Sequence, residues 1–90
     1  MQDAARRQRI LKNAEESLRR KLQSQEDGEK IATAVEKVRL AKISLFKGQR
    51  EIAKYIEKPN LSELYHLQNL DEREEEWKHK TIEEIISIYE

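Results

Sequence analysis

Ile31, Val38, Leu45 and Ile52 recur every seven residues, and Ala34, Ala41, Gly48 and Tyr55 form a second seven-residue row three positions behind them. Seven residues are close to two helical turns, so both rows run along one side of a helix. The pattern predicts a long helix over 29–57 with a coiled-coil-like seam. Small residues at Ala34, Ala41 and Gly48 let a partner backbone come close. A glycine inside a helix costs about 1 kcal/mol relative to alanine, which close packing or a hinge at Gly48 would justify. Leu40, Ile43 and Phe46 lie off the seam, so the middle of this helix should be covered on two sides, by at least three helices in all.

Ala4, Leu11, Ala14, Leu18 and Leu22, with Ile10 beside them, trace a narrow apolar stripe over 3–23. Asp3 offers a cap for this first helix, whose stripe should lie against the long second one. Asp27-Gly28 reads as the turn between them, because glycine accepts positive φ, and a short loop implies an antiparallel hairpin. The alternative is one uninterrupted rod.

Pro59 should end the second helix. Asn60 with Glu63 has the spacing of a capping box, followed by a short helix over 61–68 bearing Leu61, Leu64, Tyr65 and Leu67. Asp71 with Glu74 suggests a further start and an amphipathic last helix over 72–89, carrying Trp77, Ile82, Ile85, Ile86, Ile88 and Tyr89. On that reading Asp71, Glu72, Glu74, Glu75 and Glu76 load a first turn, where negative charge suits the helix dipole. The last helix stays apolar to its final residues, so it either docks on the core or continues in a longer chain.

The expected fold is all-α: a long helical hairpin, a short helix and an amphipathic C-terminal helix, forming one domain over 1–90. Composition makes its core thin. The chain is 40% charged and 37% hydrophobic, against a typical ~25% charged. A chain of this size buries only about 60% of its unfolded surface, and oligomerisation is a common remedy. A homodimer or larger bundle along the second helix is therefore expected. Cysteine is absent, which excludes disulfides and thiol chemistry. No secretory signal or bilayer-length apolar run stands in the sequence, so a cytoplasmic location is expected.

Charge is unevenly spread within a net charge of zero. Residues 1–25 carry seven Lys/Arg against three Asp/Glu, and residues 71–90 carry three against eight. The two ends attract each other, or the basic one meets an anionic partner. Arg6, Arg7, Arg9, Arg19, Arg20 and Lys21, with Lys12, are the candidate phosphate contacts. No aromatic residue interleaves them, which argues against base stacking, and Glu15 and Glu16 interrupt them.

Glu63 with His66 and Glu76 with His79 are Glu-x-x-His pairs, a spacing that di-metal helical bundles use twice. A turn near 69–71 would bring them level, but glutamate-rich helices produce the spacing by chance, and no metal or cofactor is expected. The glutamates at 72–76 alone do not make a magnesium pocket. Gly28 and Gly48 stand apart, so there is no phosphate-binding loop, and no nucleophile has a recognisable setting.

The function expected is non-catalytic protein association, as an adaptor, assembly or regulatory subunit. The chain would self-associate along Ile31–Tyr55, and Phe46, Trp77, Ile85 and Tyr89 are candidate anchors for another protein; Trp77 and Tyr89 could equally form the domain's own core, the reading favoured for Trp77. The alternative is a small nucleic-acid-binding protein acting through its basic first helix.

Overall fold

The structure, a computed structural model, describes residues 2–53 and 60–90, with side chains from Ala5 to Ile52 and from Asn60 to Glu90. The described residues form four helices and no strand: α1 (Gln2–Gln23), α2 (Gly28–Ala53), α3 (Leu61–His79) and α4 (Ile82–Tyr89). The end of the second helix and Tyr55 fall outside the described residues.

α1 and α2 form a hairpin, which excludes the rod. The turn is not where glycine would put it. Gln25 holds φ 52, and no glycine has positive φ among the described residues. Glu26 N–H donates to Lys21 O at 3.1 Å and Gln25 N–H to Leu22 O at 3.3 Å. These two bonds close a Schellman motif, with glutamine in the left-handed position that glycine normally takes. Gly28 instead opens α2, and Asp27 caps it, its Oδ1 accepting from Lys30 N–H at 3.1 Å.

α3 differs more from the sequence reading. The short helix over 61–68 and the start near 72 merge into one 19-residue helix, and the break falls at Lys80–Thr81. Asn60 and Glu63 form the expected capping box, with Glu63 N–H donating to Asn60 Oδ1 at 2.9 Å. The second box is Thr81 with Glu84, not Asp71 with Glu74. Asp71 has helical residues before it, so its backbone cannot take the extended conformation a cap needs.

α2 is the centre of the molecule. α1 and α3 both pack on it, and α1 and α3 come nowhere within 8 Å of each other (Cα–Cα). The α2 residues that meet α1 (Ser44, Gly48) and those that meet α3 (Arg39, Arg50) lie roughly opposite at 3.6 residues per turn. α4 turns back onto α1 and α2. The core is Leu11 and Leu18 from α1, Ala34, Val35, Val38, Ala41 and Phe46 from α2, Leu70 and Trp77 from α3, and Ile85 and Tyr89 from α4. The expectation of cover on two sides holds at Phe46, whereas Leu40 points to solvent.

Candidate interaction surfaces

The middle of the seam is used inside the chain. Ala34, Val38 and Ala41 are buried, and Ile31 and Leu45 pack partly buried against the core; among the described seam residues only Ile52 is largely exposed. Gly48 has a specific neighbour, since a Cβ there would stand 3.0 Å from Arg7 Cδ. Arg7 crosses it to donate from Nη1 to Ser44 O at 2.7 Å and to Ser44 Oγ at 3.3 Å. Gly48 therefore serves close packing against α1 in the same chain. Arg7 is held inward and is not a free phosphate contact.

The four expected partner anchors, Phe46, Trp77, Ile85 and Tyr89, are all buried in this one chain. Trp77 has the ammonium groups of Lys42 and Lys80 over its ring at 5.3 and 5.5 Å. Arg39 Nη1 donates to Trp77 O at 2.6 Å, satisfying a carbonyl of the last turn of α3. The Tyr89 hydroxyl donates to the Glu15 carboxylate, and Arg19 lies 5.1 Å over the Tyr89 ring. Burial first, then the hydrogen bond to Glu15, pushes the Tyr89 pKa above its ordinary value.

The large exposed apolar group lies on α3. Leu61 is 74% exposed, Tyr65 66% and Leu64 48%. Leu61 and Tyr65 share the helix face opposite Leu70, Glu74 and Trp77, with Leu64 on its flank. The sequence pattern placed these residues on a short apolar helix over 61–68. The extension of α3 through 68–72 turned them outward, since Leu70 and Trp77 set which face meets α2.

Further along that outer face stand Glu72, Glu75 and Glu76, all exposed. They lie in the second half of α3, so the dipole argument from the sequence does not apply; local partners hold them instead. Lys78 Nζ is 3.3 Å from Glu75, and Lys80 Nζ 2.8 Å from Glu76, whose carboxyl it keeps below the usual range. Glu74 alone turns inward, at 3% exposure. Arg50 meets it with Nη1 at 2.7 Å and Nη2 at 3.3 Å, and meets Asp71 with Nη1 at 2.7 Å. These bonds, first to Asp71 and then to Glu74, raise the Arg50 pKa.

Among the described residues, the basic end and the acidic end form no ion pair. Arg6, Arg9, Lys12, Arg19 and Arg20 are exposed and make no ion pair among the described residues. Glu15 is drawn off this stretch by Tyr89, which leaves Glu16 as its one interrupting acid beyond Ala5. Lys21 is half-buried, bonded to Ser17 Oγ at 3.2 Å, and lines a shallow open groove with Lys30 and Lys37.

His66 and His79 are 13 residues apart on one continuous helix, about 20 Å at 1.5 Å per residue, so the two Glu-x-x-His pairs do not converge. Glu63 is bonded to Asn60, and His79 Nε2 lies 3.6 Å from Glu75. No cluster suited to a metal ion occurs among the described residues, and none of their helices is long and apolar enough to cross a membrane.

Compared with protein-family models, with curated proteins and with solved structures, the chain shows no match.

Proposed function

We propose that the chain is a non-catalytic helical association module, an adaptor, assembly or regulatory subunit. The observation that carries this reading is the group Leu61, Leu64 and Tyr65, exposed at the start of α3 while the chain's own core is filled from all four helices. Exposed apolar residues scattered singly need no explanation, but three within five positions of a capped helix form a patch, which water disfavours and a partner surface would cover. This moves the association surface from the α2 seam, whose middle the chain buries itself, to the outer side of α3.

The test is molar mass by light scattering across concentration, for the wild type and for Leu61→Ser, Leu64→Ser and Tyr65→Ser combined. The combined variant should keep its helicity and melting midpoint and lose the concentration-dependent rise in mass. A variant with wild-type association would remove the patch from the interface.

A second reading, nucleic-acid binding through α1, is favoured by one observation. Arg6, Arg9, Lys12 and Arg20 stay unpaired with the acidic end, and Glu15 is turned toward Tyr89. Phosphate contacts by these side chains would make affinity fall steeply with salt. Replacing Arg6, Arg9 and Arg20 with glutamine should then abolish salt-sensitive binding to duplex DNA or RNA while leaving the fold intact; unchanged binding removes the reading.

A further inference from the structure

We propose that the partner is a second copy of this chain, joined edge to edge, with the outer side of α1 in one copy against the outer side of α3 in the next. This rests on the association reading and adds the partner and the geometry.

Three observations lead there. First, α1 and α3 occupy opposite sides of α2 and both run antiparallel to it, so they are parallel to each other. Each leaves one long side unpartnered. Second, the two outer sides carry opposite charge. α1 presents Arg6, Arg9, Lys12 and Arg20, unpaired among the described residues, against Glu16. α3 presents Glu72, bonded to Gln68, with Glu75 and Glu76, paired to Lys78, His79 and Lys80 within four residues; all three carboxylates are exposed, so a stronger partner can compete for them.

Third, the opposite charges stand at neighbouring heights. Arg7 meets α2 at Ser44 and Gly48, and Asp71 and Glu74 meet it at Arg50. Ser44 and Arg50 are six residues apart, about 9 Å along the axis. Arg6, Arg9 and Lys12 on one edge therefore stand within two helical turns of the height of Glu72, Glu75 and Glu76 on the other. A neighbour displaced sideways, and slid along the axis by less than two turns, brings these cations against the carboxylates over about one turn.

The same signs disfavour the two-fold alternatives. Packing α1 on α1, or α3 on α3, would set like charges against each other. The contact is heterologous, so each copy retains one free edge of each kind, and copies add into an open row or a closed ring.

The experiment is a charge swap on the full chain, read by light scattering and sedimentation velocity at low and high salt, with circular dichroism as the check on folding. One variant carries Arg6→Glu, Arg9→Glu and Lys12→Glu, and the other Glu72→Lys, Glu75→Lys and Glu76→Lys. The wild-type mass should rise with concentration at low salt and fall toward the monomer at high salt. Each variant alone should be a folded monomer, and an equimolar mixture of the two should assemble again. Wild-type mass in either variant, a mixture that stays monomeric, or a wild type that is monomeric throughout overturns the edge contact. Assembly that ignores both swaps but is lost with Leu61→Ser, Leu64→Ser and Tyr65→Ser keeps the association reading and overturns this contact. Nucleic acid that co-elutes with the wild type, accounts for its extra mass and is lost with the arginine swap also overturns it, in favour of the second reading.

Discussion

Arg7 lies across Gly48: its side chain fills the space where a Cβ on residue 48 would stand, Cδ at 3.0 Å and Nη1 at 3.2 Å. The same arm ends on Ser44 O. The two residues should therefore be coupled. Alanine at 48 gains about 1 kcal/mol of helix propensity but pushes Arg7 off its acceptor, so Gly48→Ala alone should leave stability within about 0.5 kcal/mol of wild type. With Arg7→Ala already present, Gly48→Ala should stabilise by about 1 kcal/mol. Urea unfolding of the four chains in this cycle measures the difference. Equal effects in both backgrounds would show that the arm does not hold its place.

Gln25 sits at φ 52, where its side chain adds strain that glycine lacks. Gln25→Gly should stabilise by about 1 kcal/mol, because the gain in the folded turn exceeds the added freedom of the unfolded chain. Gly28→Ala, at a helical position with open space around it, should also stabilise. Thermal midpoints check both, and a drop for Gln25→Gly would show that the hairpin turn is built differently.

The Tyr89–Glu15 bond predicts an alkaline limb of stability. Tyr89 has a raised pKa in the folded chain, so its contribution is complete below the ordinary tyrosine value of about 10 and is lost as pH climbs above it. The charged phenolate would face the Glu15 carboxylate. Tyr89→Phe should cost about 1–2 kcal/mol at neutral pH, and that deficit should shrink above pH 10. Denaturant midpoints of both chains from pH 7 to 11 test it; a deficit independent of pH would mean that Tyr89 ionises alike in the folded and unfolded chains.

Glu74 is the one buried carboxylate among the described residues, and Arg50 answers it from α2. Glu74→Ala removes one partner, leaves Arg50 to the exposed Asp71, and should destabilise by about 1.5–3 kcal/mol. Asp71→Ala should cost well under 1 kcal/mol, since that pair is largely exposed. Unfolding free energies that rank the two the other way would show that α3 is not docked through Glu74.

Several features of α3 show where sequence reasoning stops. The capping box at Asn60 and Glu63 is legible because both halves of the motif are local. Asp71 with Glu74 has a similar local signature, yet Glu74 bonds to Arg50, 24 residues away, and the helix runs straight through. The break at Thr81 carries its own capping signature, Thr81 with Glu84. The apolar spacing from Trp77 to Tyr89 is equally compatible with one continuous helix, and this concealed the break. Of the candidate surfaces, the basic stretch of α1 was readable residue by residue. That Arg7 leaves it and Glu15 is drawn away from it was not, because Ser44 and Tyr89 are 37 and 74 positions distant.

The sequence by itself determined that this chain is helical, where its hairpin lies and which side of α1 and α2 is apolar, since periodicity, caps and charge act within a few turns. Only the tertiary structure decided what the apolar residues pack against. Ala34, Val38 and Ala41 serve an internal core, Gly48 makes room for Arg7, and Leu61 and Tyr65 face outward because Leu70, Glu74 and Trp77 claim the other side of α3. A seven-residue repeat states that a helix wants a partner. It does not state whether that partner lies in the same chain, because burial of apolar surface has no direction, and the partner is settled only by which elements the loops bring within reach.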